Sequence, residues 1–156
     1  MEVNPRHVSD SAEQRDAEAA VIKLLELEVG CSLGEESVPL GGGALMKIDA
    51  VNREHHILCE VYSRIGKLKG SQPDKLASDM LKLLLAESAL GGAWRKIVCL
   101  ADTEAAKCVQ GRSWLAVAAR QMGFEVKIVS LPPGIREQLL AAQRRQVMVN
   151  PGVKES

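Results

Sequence analysis

The stretch ALMKIDAVNREHHILCEVYS, residues 44–63, decides the fold because it contains two strand-like segments joined by a turn. β-prone residues fill both segments, and Asn52-Arg53-Glu54 between them is typical of a tight connection. Asp49 lies in the first segment and Glu60 in the second. If the segments pair as a hairpin, the two carboxylates meet at one place on a sheet, as carboxylates that bind a divalent cation often do. The stretch therefore predicts an antiparallel hairpin and a candidate two-carboxylate metal site.

Size and charge limit what the whole chain can be. Its 156 residues are 46% hydrophobic, which is typical of one compact domain. Twenty basic residues balance twenty acidic ones, so any nucleic-acid binding needs a local patch rather than a net charge. No apolar run approaches the roughly 20 residues of a membrane span, and the first residues lack the apolar core of a secretion signal. Four scattered cysteines predict reduced thiols, and these features together predict a cytoplasmic protein without membrane contact.

The elements around the hairpin are predicted from periodicity and from turn residues. Upstream, apolar residues at helical spacing predict a helix that is capped within residues 9–11 and ends at Gly30. Downstream, Ser71-Gln72-Pro73-Asp74 predicts a capping box for a helix that ends near Gly91. The remaining predicted elements are strands 37–40, 44–51, 55–63, 96–101 and 125–131 and helices 103–122 and 134–147.

This order predicts an α/β fold in which a mixed five-stranded sheet is flanked by helices, α-β-β-β-α-β-α-β-α. Tight connections make the first three strands antiparallel, whereas helical crossovers bring the last two back in parallel. A single domain is predicted over residues 12–148. The polar segments 1–8 and 150–156 are predicted to be flexible.

Asp49 and Glu60, in this order of elements, resemble the PD-(D/E)xK superfamily, which has an acid on its second strand and Glu-x-Lys on its third. The resemblance covers roughly residues 12–145 and implies a restriction-endonuclease-like fold. It also implies that the two acids bind Mg²⁺ or Mn²⁺, which polarises a scissile phosphate. Tyr62 stands where the superfamily has its lysine, so the motif is degenerate. A narrower likeness is to a small uncharacterised actinobacterial family of this fold; it rests on residues 48–84, Arg112-Ser113-Trp114 and Ile135-Arg136-Glu137.

The resemblance implies that a cation replaces the missing lysine. Lys67 and Lys69 follow the third strand directly, and Lys47 shares a strand face with Asp49, so each is a candidate. Tyr62 is predicted to orient water or phosphate. The predicted catalytic residues are Asp49, Glu60, Tyr62, Lys67 and Lys69, with Asp49 and Glu60 as the metal ligands.

A basic segment surrounds the start of the next helix, whose free N–H groups would favour a phosphate. Gln72 is similar to a helix glutamine in some nuclease branches, and Glu18 to an auxiliary acid on the first helix. A solvated loop is the simpler interpretation of the same charges. The predicted nucleic-acid- or phosphate-binding residues are Arg64, Lys67, Lys69, Gln72 and Lys75.

Two functional hypotheses follow. The first is a metal-dependent nuclease, a hydrolase that acts on DNA or RNA through Asp49 and Glu60. The second is a catalytically inactive domain of the same fold that binds nucleic acid or protein, or forms a homodimer. Acids and a cation that converge in a cleft favour the first, whereas salt-bridged or separated acids favour the second. Asp102-Thr103-Glu104, after a later strand, is interpreted as a helix cap rather than as part of a metal site.

Overall fold

The computed structural model describes residues 5–149, with side chains from residue 12 to residue 147. Within these limits the predicted α/β class and the mixed five-stranded sheet are confirmed. The helices are α1 (Pro5–Val29), α2 (Gln72–Leu90), α3 (Thr103–Ala106), α4 (Trp114–Gln121) and α5 (Pro133–Val149). The strands are β1 (Gly34–Gly41), β2 (Ala44–Asn52), β3 (Ile57–Tyr62), β4 (Arg95–Leu100) and β5 (Phe124–Ile128).

The strands lie in the sheet in their order along the chain. β1, β2 and β3 are antiparallel, and β3, β4 and β5 are parallel. Both parallel connections cross the sheet in the same direction, so the right-handed preference requires their helices to lie on one face. Leu83 of α2 and Leu115 of α4 accordingly belong to the same hydrophobic cluster. α1 and α5 cover the opposite face, where Val21 and Leu139 are buried.

The crossover between β4 and β5 differs from the single helix predicted over residues 103–122. It consists of α3, a 3₁₀ turn at Lys107–Val109 and the separate helix α4. Gly111 lies between the pieces with φ +94°, a conformation that glycine adopts without a steric penalty. Ser113 then caps α4, because its hydroxyl accepts a hydrogen bond from the Ala116 N–H at 3.1 Å. The apolar pattern concealed the break because both pieces pack on the same face of the sheet.

The starts of two helices also differ from prediction. α1 begins at Pro5, so residues 5–8 are helical rather than irregular, and residues 1–4 and 150–156 lie outside the described part. Ser71 precedes α2 but makes no side-chain capping hydrogen bond, so the predicted capping box is wrong. The predicted ends at Gly30 and near Gly91 are confirmed.

The remaining general predictions concern thiols and membranes. All four cysteines are free, with Cys59 and Cys99 buried and the other two partly buried. None of the helices between residues 5 and 149 is both long and apolar enough to cross a membrane.

Candidate functional site

A bulge in β2 positions Asp49. Glu36 pairs with Ile48 and Gly34 pairs with Val51, so β2 advances by one residue more than β1 between these two pairs. The extra residue falls at Asp49 or its neighbour Ala50. Such bulges interrupt the ladder and redirect side chains, and they are frequent beside functional sites. The regular alternation that the sequence implied for β2 therefore does not hold at Asp49.

Asp49 and Glu60 lie side by side at this bulge. The Asp49 N–H donates to Glu60 Oε1 at 3.4 Å, and the Val61 N–H donates to Asp49 Oδ2 at 2.9 Å. Glu60 is only 3% exposed. Burial, and after it a hydrogen bond with the Asp49 carboxyl and the charge of Asp49, raises the pKa of Glu60 to about 8. Glu60 therefore holds a proton near neutral pH.

Among the described residues, the cation that forms an ion pair with this pair of acids is Lys82 of α2, which was not predicted from the sequence. Its Nζ lies 3.2 Å from Glu60 Oε1. The charge of Lys82 lowers the pKa of Glu60 but does not offset the effect of burial. Lys82 lies between Met80 and Leu83, two buried residues of α2. That position, beside the stripe of residues that face the sheet, was the signal available in the sequence.

Two further acids interact with the pair, Glu18 of α1 and Asp79 of α2. Burial and then the charge of Asp49 raise the pKa of Glu18. Burial also raises the pKa of Asp79. The charge of Lys82 lowers this pKa, and the charge of Asp49 raises it. Glu18, Asp49, Glu60 and Asp79, which come from four elements, are called the acidic cluster below.

The acidic cluster fits a divalent cation in ligand type. Among residues 12–147, no three His, Cys, Asp or Glu side chains come close enough to hold a metal ion by themselves. Mg²⁺, however, is commonly bound through one or two carboxylates, with water and substrate phosphate as the other ligands. Asp49 and Glu60 are the residues that would hold such an ion. Binding would require Glu60 to release its proton, because metal ligands are deprotonated.

The raised pKa of Glu60 predicts a pH-dependent stability for the metal-free protein. Between the ordinary value of 4.5 and the folded value of about 8, the folded state holds a proton that the unfolded state has released. The contribution of Glu60 is therefore fully present below pH 4.5 and is lost as the pH rises to about 8. We expect urea unfolding at a series of pH values to show this loss, and Glu60→Gln to remove it. Identical pH profiles for wild type and variant would contradict the raised pKa of Glu60.

A cleft opens at the carboxyl end of β3, next to the acidic cluster. It measures about 210 Å³, and its walls come from α1, α2, α5 and the residues that follow β3. Glu18 belongs both to this cleft and to the acidic cluster, whereas Val61 and Leu139 provide apolar surface. The name β3 cleft is used for this space, whose polar lining includes Glu18, Tyr62, Arg64, Gln72, Lys75 and Gln143.

Two long-range contacts hold the loop that follows β3. The side-chain amide of Gln143 on α5 donates to the Ile65 carbonyl at 3.0 Å and accepts from the Ile65 N–H at 2.9 Å. Asp102 accepts a hydrogen bond from the Gly66 N–H at 2.8 Å and pairs with Arg136 at 3.4 Å. Asp102 thus anchors this loop, and its side chain does not cap α3 as predicted. This loop, residues 63–71, is called the basic loop below. It is consequently fixed both to the segment that follows β4 and to α5.

The structure does not bring the predicted replacement lysines to the acids. Lys67 and Lys69 are exposed, and no ion pair or hydrogen bond within the described residues joins either of them to Asp49 or Glu60. Lys47 is also exposed and pairs with a glutamate of β1 at 3.1 Å. The position of Lys82 on the neighbouring helix therefore matters more than proximity along the chain.

Tyr62 lines the β3 cleft with two of the predicted phosphate-binding residues. The Lys75 ammonium lies 5.7 Å from the centre of the Tyr62 ring, and Arg64 lines the same cleft. Burial raises the pKa of Tyr62, although the charge of Arg64 lowers it. Tyr62 is consequently a neutral phenol near pH 7 and does not replace the charge of a lysine.

The first turn of α2 offers few free backbone donors. The Gln72 N–H donates to the Lys69 carbonyl at 3.1 Å, and the next residue is a proline, which has no N–H. The two N–H groups that follow both donate to the Ser71 carbonyl, at 3.1 and 3.2 Å. The Gln72 side chain accepts from the Lys69 N–H at 2.9 Å. Anion binding at this place would therefore depend on side chains and not, as predicted, on free helix amides.

Comparison with known proteins leaves the functional argument to these residues. No family model matches the chain, and no match is found among the curated proteins or the solved structures.

Proposed function

We propose that the chain is a nuclease-like domain of the PD-(D/E)xK type, which hydrolyses phosphodiester bonds of DNA or RNA with Mg²⁺ or Mn²⁺. One observation carries this proposal: carboxylates from two neighbouring strands meet at a bulge, with a lysine 3.2 Å from one of them. Two acids and a cation are the groups that metal-assisted hydrolysis of a phosphodiester requires. The β3 cleft shares Glu18 with the acidic cluster to which the two carboxylates belong.

Each residue has a role in this proposal. Asp49 and Glu60 would hold the divalent cation. When bound, this cation would polarise a phosphoryl oxygen. Lys82 provides the positive charge that Tyr62 lacks, and it stabilises the negative charge that develops on the phosphate. Lys67 and Lys69 of the loop after β3 are exposed. In this proposal they contact phosphates of the nucleic acid farther from the reacting bond.

Calorimetric titration of Mn²⁺ tests the metal site. Asp49→Asn and Glu60→Gln keep the size of each side chain and an acceptor oxygen, so loss of binding reports lost charge rather than lost folding. We expect wild type to bind Mn²⁺ more tightly as the pH rises towards 8, because the metal competes with the proton on Glu60. Both variants are expected to lose this binding.

Glu104→Gln is the matched control, since Glu104 is an exposed acid of α3 that pairs only with Lys107 among the described residues. It is expected to bind Mn²⁺ as wild type does. Absence of Mn²⁺ binding by wild type at pH 8 would overturn the metal site and with it the proposed activity.

A second candidate function is favoured by a different aspect of the same contact. Lys82 lies 3.2 Å from Glu60 Oε1, and a contact of this kind is expected in a domain whose acids are structural. Such a domain would bind nucleic acid, a protein or a second copy of itself without catalysis. It would give no Mn²⁺ binding in the same titration, so one experiment separates the two functions.

A further inference from the structure

The cations around the β3 cleft form no close ion pairs with the acids that the structure describes. Among the described residues, no carboxylate lies within ion-pair distance of Arg64, Lys67, Lys69 or Lys75. On β4, by contrast, the adjacent residues Arg95 and Lys96 each have a glutamate at 2.9 Å or less. The loop is also held rigidly through Gln143 and Asp102, as described above. Between residues 12 and 147, these charges are thus not neutralised by a close ion pair.

The shape of the cleft distinguishes two of these cations from the others. Arg64 and Lys75 line it, whereas Lys67 and Lys69 do not. Its volume of about 210 Å³ is small beside the roughly 300–1,000 Å³ of pockets for drug-sized ligands. Helices α1, α2 and α5 all contribute to its walls. A space of this size with helices around it suits the end of a nucleic-acid strand better than a nucleic-acid strand that continues through it.

The chemistry of the lining favours a dianion. A phosphate monoester carries close to two negative charges at neutral pH, whereas each diester in a strand carries one. Arg64 and Lys75 supply two positive charges, and Gln72 and Gln143 place side-chain amides in the same lining. Glu18 also lines the cleft; burial and the charge of Asp49 raise its pKa, whereas the charge of Lys75 lowers it.

We infer that the β3 cleft binds a terminal phosphate monoester of a nucleic-acid strand, with Arg64 and Lys75 as its charged ligands. The inference rests on the proposed function, from which it takes nucleic acid as the ligand. It restricts that function to the ends of nucleic-acid strands. It requires no contribution from Lys67 or Lys69, and none from the first-turn amides of α2. The reacting bond would then lie a short distance along the strand, at the acidic cluster.

Fluorescence anisotropy in EDTA tests the inference without the metal site. The probes are one labelled single-stranded oligonucleotide with a 5′-phosphate, with a 3′-phosphate, or with hydroxyl groups at both ends. We expect one phosphorylated end to bind at least about tenfold more tightly than the hydroxyl form, because it adds charge-assisted hydrogen bonds. Arg64→Ala and Lys75→Ala are expected to remove this preference.

Lys69→Ala is the matched control, because Lys69 belongs to the same basic loop but not to the cleft lining. It is expected to weaken binding of all three probes to a similar, small extent and to keep the preference. Equal affinity of wild type for all three probes would overturn the inference. Competition by adenosine monophosphate as strong as that by the phosphorylated strand would identify a free mononucleotide as ligand and overturn the strand-end assignment.

The two proposals fail separately. Preference for a phosphorylated end in EDTA does not depend on Mn²⁺ binding, and Mn²⁺ binding at Asp49 and Glu60 does not depend on the end of the strand.

Discussion

Replacement of Glu87 by alanine is expected to lower the free energy of unfolding by about 3–5 kcal/mol, a large part of the stability of a single domain. Both carboxylate oxygens of Glu87 bond to the Lys96 ammonium, at 3.0 and 2.9 Å, and one also accepts the Trp94 N–H at 2.9 Å. Lys96 is 7% exposed. The variant would therefore leave a buried ammonium without a partner at the junction of α2 and β4.

Glu125→Ala is the matched control for Glu87→Ala. Glu125 pairs with Arg95, the residue before Lys96, at 2.8 Å, but the side chains of that pair are 44% and 38% exposed. We expect its loss to cost less than about 1 kcal/mol in urea unfolding, because exposed pairs gain little over solvation. Equal costs for the two variants would contradict the difference in burial between the two pairs.

If the chain has the proposed activity, Lys82→Met is expected to lower the rate of phosphodiester hydrolysis by at least about a hundredfold and to keep the proposed Mn²⁺ binding, since one charge that stabilises a transition state is commonly worth that much. Methionine matches the unbranched apolar part of the lysine side chain and lacks the charged ammonium group. Because Lys82 lowers the pKa of Glu60, its loss raises that pKa further above about 8. Rates and Mn²⁺ affinities of the variant are therefore compared with those of wild type above pH 8.

Lys67→Met provides the comparison for Lys82→Met, because it removes an exposed lysine that contacts neither acid within the described residues. A severalfold loss or less is expected for it. The opposite result, a large loss for Lys67→Met and full activity for Lys82→Met, would reinstate the lysine that the sequence suggested.

The sheet could be predicted from the sequence because its signals are local. The turn, predicted at residues 52–54 and found at residues 53–56, and the apolar strands are each visible within a few residues. Crossover helices then dictate which strands are parallel. The break at Gly111 was missed because apolar periodicity continues across it. The capping box at Ser71 was wrong because Ser71 has helical dihedral angles, and the Asp74 N–H donates to its carbonyl rather than to its hydroxyl. Such choices among local hydrogen bonds depend on contacts that a sequence does not display.

The candidate site was predicted only in part for a related reason. Asp49 and Glu60 attract notice because each is a carboxylate within a β-prone stretch. The bulge that turns Asp49 depends on the register between β1 and β2, which no local motif specifies. Lys82 reaches Glu60 because α2 packs across β3, and the two residues lie on different elements. Proximity along the chain instead favoured Lys67 and Lys69.

The anchoring of the basic loop by α5 has a consequence for synthesis of the protein on the ribosome. Ile65 and the Gln143 side chain that holds it are 78 positions apart, and α1 packs against α5. A nascent chain therefore exposes its hairpin, with Asp49 and Glu60, well before the cleft has its walls. Any partial product that stops before α5 would present the two acids without a complete β3 cleft. The proposed site for the end of a nucleic-acid strand would therefore form only when α5 docks.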